Sequence, residues 1–162
     1  MVTAIMAAVM MVRSDGLDTS FKSYMDYTCI TNKESKQYEL QQNAWTDTNG
    51  LRRYGSLSDY MVAVGLPYGK VGDRILITLD TDEEIYAIIG DSKGDRYYHS
   101  CGKGACVVEF IVDTPNLDKT AKQMGDISYI EGLEGQVVSI KALPSYEEMC
   151  ERWQQGMLNY YC

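Results

Sequence analysis

The stretch Ala87–Ser100 gathers many groups that can do chemistry: Asp91, Ser92, Lys93, Asp95, Tyr97, Tyr98 and His99, the only histidine of the chain. It follows the apolar run Ile85–Ile89 and is interrupted by Gly90 and Gly94. A carboxylate at a strand end is held more firmly than one on a free loop, and glycines let a bulky ligand approach the backbone. The expectation is therefore a groove with Asp91 at its floor and the segment from Asp91 to His99 as one wall. Tyr97 and Tyr98 would stack on flat ligand faces. Glu109, within Val107–Phe110, offers a second carboxylate; if its strand lies beside that of Asp91, the like charge favours a protonated acid. Lys93 works against this and would instead meet a ligand carboxylate. Plainer readings stay open: Asp91 as a turn former, Glu109 on a solvated strand face, His99 as polar surface rather than a general base.

Composition narrows the classes. The 162 residues include 45% hydrophobic types, enough for one globular domain with a core. The net charge is −8 and no run of Lys or Arg occurs, which argues against nucleic acid and against anionic membrane surfaces. Thirteen tyrosines against two phenylalanines suit sugar rings and wet interfaces, or half-buried strand positions. One histidine and five cysteines without a C-x-x-C pair give no metal site, and no cofactor motif is present: neither "GKVGD" nor "GKGAC" completes a phosphate loop. No Ser-His-Asp set can be assembled, and Cys101 near His99 does not by itself imply a thiol protease. Cys101 with Cys106, and Cys150 with Cys162, are spaced to allow crosslinks, with Cys29 left over. Five reduced thiols in a cytosolic protein are the alternative.

The elements that must position these groups read as follows. Strands are expected at 27–31, 37–42, 60–65, 74–80, 85–89, 106–113, 126–131 and 135–143. A short helix is expected near 116–124, ending at Gly125. A C-terminal helix is expected near 146–160, opened by a capping box of Ser145 and Glu148 and carrying a packing stripe of Met149, Trp153 and Met157. "AWTD" precedes the Asn49-Gly50 turn, and Asp47 reads as structural there. The apolar run Val2–Val12 is too short to span a bilayer. It reads as a trimmed signal or anchor, a packed helix that could meet a partner protein, or the start of an excised fragment. The organisation is thus an N-terminal segment over 1–26, a mainly β domain over 27–143 and a helix over 144–162.

The ordered motifs "AWT", "YMVAVG", "GDRILI", "YAIIGDSKG" and "VVEFIV" resemble the three-aspartate domain of bacterial cell-wall proteins. That domain is one of the double-psi β-barrels, with the rare lipoprotein A family and membrane-bound lytic transglycosylase A. Uncharacterised Clostridia-type and phage-associated proteins resemble the chain further, through Gly90-Asp91-Ser92-Lys93, His99, Val108–Asp113 and Gly125–Ser128. The resemblance runs from about Asn43 to Ala142 and implies a six-stranded double-psi barrel. It places Ala44-Trp45-Thr46 at the family's Ala-Tyr-Thr start. Asp91 matches the family's second aspartate, and Glu109 stands where its third does. Gly65 replaces its first, after Val62-Ala63-Val64.

The resemblance also implies a function. Lytic transglycosylases cleave peptidoglycan glycan with one carboxyl, which protonates the departing oxygen and then takes a proton from the muramyl 6-hydroxyl as an anhydro ring closes. Asp91 and Glu109 would be catalytic, and Lys93, Asp95, Tyr97, Tyr98, His99, Trp45, Thr46 and Asp47 would bind substrate. The expected partner is peptidoglycan, and the location the cell wall or outside the cell, with a phage particle as the alternative and membrane attachment only through a missing anchor. A non-catalytic wall-binding or assembly module is the competing reading, favoured by Gly65 and Lys93.

Overall fold

The computed structural model describes residues 9–11, 18–93 and 106–160, with side chains over 18–93 and 106–155. Nine strands form one mixed sheet: β1 (Val9–Met11), β2 (Ser23–Asp26), β3 (Ala44–Thr46), β4 (Arg52–Tyr54), β5 (Asp59–Val64), β6 (Arg74–Leu79), β7 (Glu84–Ser92), β8 (Glu109–Val112) and β9 (Val137–Leu143). Three helices accompany them: α1 (Lys36–Gln42), α2 (Lys119–Met124) and α3 (Tyr146–Tyr160). The main path runs β1-β9-β6-β7-β5-β4-β3. β5 is the hub: it pairs with β7 in parallel, and antiparallel with β4 through Tyr60 and Asp59 and with β8 through Val62 and Ala63. β2 then adds to β8 in parallel.

Strand alternation separates two apolar layers. Val62, Val64, Ile75, Ile77, Ala87, Ile89, Phe110 and Val112 fill the main core. Met61, Ile88 and Ile111 point the other way and pack with Leu40 of α1. Each fully buried aliphatic or aromatic side chain there contributes about 1.5–3 kcal/mol.

The mainly β expectation, with one short helix and a C-terminal helix, agrees with this architecture. Residues 37–42 are helical rather than extended. Ser35 caps α1 by accepting the Tyr38 N–H, and the segment has no β-branched residue, so a 3.6-residue period puts Leu40 and Gln41 inward. Residues 27–31 and 126–131 hold 3-10 turns instead of strands, each capped by the preceding aspartate, Asp26 and Asp126. The strand that precedes the first of these is β2, so the sheet recruits residues that the sequence assigns to an appended segment. α2 lies within the expected 116–124 but begins only at Lys119, capped by Asp118, after a 3-10 turn over Thr114–Asn116; the expected glycine stop holds, with Gly125 left-handed (φ 70°) at its end. At the Asn49-Gly50 turn, Gly50 (φ 81°) abuts the Leu117 backbone, where a Cβ would collide.

Two polar anchors hold the periphery. Lys22 is fully buried, and its ammonium donates to Ser20 O, Ser128 Oγ and Gly135 O (3.2, 3.1 and 2.7 Å). Burial lowers its proton affinity, with Asp126 and other acids opposing the shift. Arg74 and Asp59, 3% and 0% exposed, form an ion pair at 2.5 Å. Tyr146 of α3 joins it, its hydroxyl 2.9 Å from Asp59 Oδ2, and Arg74 also donates to Pro144 O and Met149 Sδ. The capping box forms reciprocally: Ser145 N–H donates to Glu148 Oε2, and Glu148 N–H to Ser145 Oγ (2.7 and 3.1 Å). The expected packing stripe does not hold throughout, because Met149 meets Arg74 while Trp153 is 69% exposed. The side chain of Met157 lies outside the described residues.

Candidate functional site

Asp91 does not end a strand in a turn. β7 continues through Gly90 and Asp91 to Ser92, and the register against β5 slips by one residue at Gly90, so Val62 faces Ile89 but Ala63 faces Asp91. This bulge re-aims the carboxylate. Gly90 serves packing rather than ligand access: it is buried, and a Cβ there would meet Ile111 Cδ1 at 2.7 Å and Met61 Cε at 2.9 Å.

Register then assembles a row across four strands. Ser23 of β2 faces Glu109 of β8, Glu109 faces Ala63 of β5, and Ala63 faces Asp91 of β7. Facing residues project from the same side of a sheet, and this side also carries Met61 and Ile111 under α1. The backbones at Asp91 and Glu109 are two strand spacings apart, about 10 Å. Ala63 between them is 1% exposed, so the row is covered at its centre.

The two carboxylates differ in environment. Asp91 is half-buried; its Oδ1 accepts the Ser92 N–H at 2.8 Å and lies 3.5 Å from Gln37 Nε2 of α1. Glu109 is 3% exposed, and its Oε1 has no hydrogen-bond partner among the described residues. The solvated strand face expected for Glu109 is therefore wrong: β2 covers the edge of β8 and removes it from water. A buried acceptor left unpaired costs about 1–3 kcal/mol, which marks a position that a ligand hydrogen can fill.

Lys93 is not free to meet a ligand carboxylate. It is 8% exposed, and its ammonium donates to Cys106 O (2.8 Å) and Cys106 Sγ (3.0 Å). Ser23 Oγ lies 2.9 Å from the same sulfur. Lys93 and Cys106 flank residues 94–105, so this contact joins the two ends of that segment. Asp95, Tyr97, Tyr98 and His99 lie outside the described residues, as does Cys101. Cys29, Cys106 and Cys150 are free thiols, so neither crosslink suggested by spacing forms through Cys106 or Cys150.

The Ala44–Thr46 segment is β3, whose described partner strand is β4. Trp45 is 47% exposed. Thr46 Oγ1 accepts from Arg52 and donates to Asp113. Asp47 holds the turn by accepting the Asn49 and Leu51 N–H groups and pairing with Arg53 at 2.7 Å. None of the three has a described contact with Asp91 or Glu109, and Asp47 has the structural role expected of it.

Ser23, Gln37 and Cys106 were not legible as site residues. Ser23 enters through a long-range parallel pairing, and Gln37 through a helix read as a strand. Cavities of about 380, 470 and 350 Å³ lie elsewhere, the first two around Arg74 and the third beside Tyr27 and Tyr38. Among the described residues, no group of three His, Cys, Asp or Glu side chains is placed to hold a metal ion. No described helix is long and apolar enough to cross a membrane. No protein-family model, curated protein or solved structure matches this chain.

Proposed function

We propose that this chain is a peptidoglycan-directed domain working outside the cytoplasm, at a cell wall or on a phage particle that attacks one. In this reading the sheet belongs to a six-stranded double-psi barrel; the two parallel pairings, β5 with β7 and β2 with β8, support that topology. The activity is lytic transglycosylase-like cleavage of the glycan. Asp91, the more accessible carboxyl, gives its proton to the glycosidic oxygen and then takes one from the 6-hydroxyl that closes the anhydro ring. Glu109 accepts a ligand hydrogen through its unpaired Oε1. The observation that carries this reading is the row Asp91–Ala63–Glu109, which puts two carboxylates of unlike burial on one face.

A non-catalytic wall-binding or assembly module is the second reading. The commitment of Lys93 to Cys106 favours it, because the cation expected to recognise a stem-peptide carboxylate is already engaged. Incubation of the protein with purified peptidoglycan, followed by mass spectrometry for anhydromuramyl products, separates the two. Release by the wild type, lost in Asp91→Asn and weakened in Glu109→Gln, supports the enzyme. Sedimentation with the wall without release supports the binder. Neither release nor sedimentation overturns both.

A further inference from the structure

We infer that Cys106 and Lys93 form an oxidation-dependent covalent crosslink, a sulfur–nitrogen bond between Sγ and Nζ. This goes beyond the wall-directed reading and does not depend on it. The two atoms already lie 3.0 Å apart, and both side chains are at least nine-tenths buried. A second hydrogen bond, from Nζ to Cys106 O at 2.8 Å, fixes the amine against the same residue, so little search remains before bond formation. Ser23 Oγ, 2.9 Å away, touches the sulfur as well.

The chemistry needs a two-electron oxidant, hydrogen peroxide. Sulfur attacks one peroxide oxygen, the O–O bond breaks, and Cys106 becomes a sulfenic acid with release of water. Sulfenic acids condense with nitrogen nucleophiles. The Lys93 ammonium loses a proton, Nζ attacks sulfur, and the sulfenic oxygen leaves as a second water. The net change consumes one thiol, one ammonium and one peroxide. It yields the S–N bond, two waters and one proton passed to solvent. Sulfur is oxidised and peroxide reduced, and a thiol reductant restores both side chains. The bond would tie the end of β7 to the start of the β8 segment, beside Asp91 and Glu109.

The experiment treats the full chain with hydrogen peroxide, blocks remaining thiols, and maps tryptic peptides by mass spectrometry. The expected result is a Lys93–Cys106 peptide pair lighter by two hydrogens than its separate parts, with tryptic cleavage after Lys93 lost, and full reversal by dithiothreitol. Cys101→Ser removes the nearest disulfide alternative in sequence and is expected to retain the crosslink. Lys93→Arg keeps a cation but is expected to stop at a sulfenic acid that dimedone traps. The inference is overturned if Cys106 stays a free thiol while other cysteines oxidise. It is equally overturned if Cys106 pairs only with another cysteine, or if Cys101→Ser accumulates a stable Cys106 sulfenic acid with Lys93 intact.

Discussion

At the residue scale, what a side chain does here depends on what lies opposite it. Asp26 caps a 3-10 turn and also accepts the Thr114 N–H. Burial pushes its carboxyl up, but hydrogen bonds from Thr114 and Thr28 outweigh this and hold it at about 2, below the ordinary 3.8. A depressed carboxylate stabilises the fold above its unfolded pKa, and that contribution is lost as pH falls from 3.8 towards about 2. Asp26→Asn is expected to flatten this part of the acid limb in urea titrations. The effect stays near 1 kcal/mol or less, because the group is only part-buried and solvent screens it. Gly90→Ala tests the packing role of that glycine. Ile111 Cδ1 and Met61 Cε must both move, at a cost of about 1 kcal/mol, the low end for overpacking because both are flexible chain ends. If glycan approach were instead what requires Gly90, wall binding would fall while the urea midpoint stayed unchanged.

At the element scale, α3 is fastened by a polar cluster rather than by its apolar stripe. Asp59 and Arg74 are both buried, and Tyr146 closes the cluster from the helix. Removing one partner of a buried ion pair leaves the other uncompensated, so Asp59→Ala is expected to cost about 3–5 kcal/mol in equilibrium unfolding. Burial, and then the hydrogen bond and charge of Asp59, push the Tyr146 hydroxyl up to about 12, with Arg74 pulling back only in part. Its neutral form is favoured by folding, so this contribution is complete below pH 10 and is lost as pH rises towards 12. Absorbance titration is expected to show one phenol resisting ionisation in the native protein, and Tyr146→Phe is expected to remove that late step. Retention of the late step in the variant would assign it to another tyrosine. Ser145→Ala is expected to cost about 1 kcal/mol and to raise hydrogen exchange in the first turn of α3.

At the scale of the whole molecule, the nine strands and three α-helices of the described residues are held by apolar layers and buried polar ties, with no described disulfide. Cys29, Cys106 and Cys150 are therefore expected to react with a thiol reagent in denatured, unreduced protein, at least three equivalents in all. A count below three would mean that crosslinks rather than packing hold the chain. With five, cysteine number no longer argues for an oxidising compartment, and an extracytoplasmic location rests on the motif resemblance and the apolar N-terminal run.

Local patterns determined what local physics controls. The alternation of Ile75, Ile77 and Leu79, the run Ile85–Ile89, the Gly125 stop and the Ser145–Glu148 box each act within a few residues, and each was legible without a fold. Asp91 was legible as a candidate because a carboxylate after an apolar run is a local feature. The tertiary structure alone decided its company. Parallel pairing of β2 with β8 buried Glu109 and brought in Ser23, and the bulge at Gly90 turned Asp91 into the same row. Lys93 was turned towards Cys106, thirteen positions on. Such pairings join residues far apart in the chain, and a one-residue slip in register reverses every facing side chain. Burial of Lys22 and of the Asp59–Arg74 pair belongs to the same class, because desolvation depends on what the rest of the chain packs over a charge and not on its neighbours in sequence.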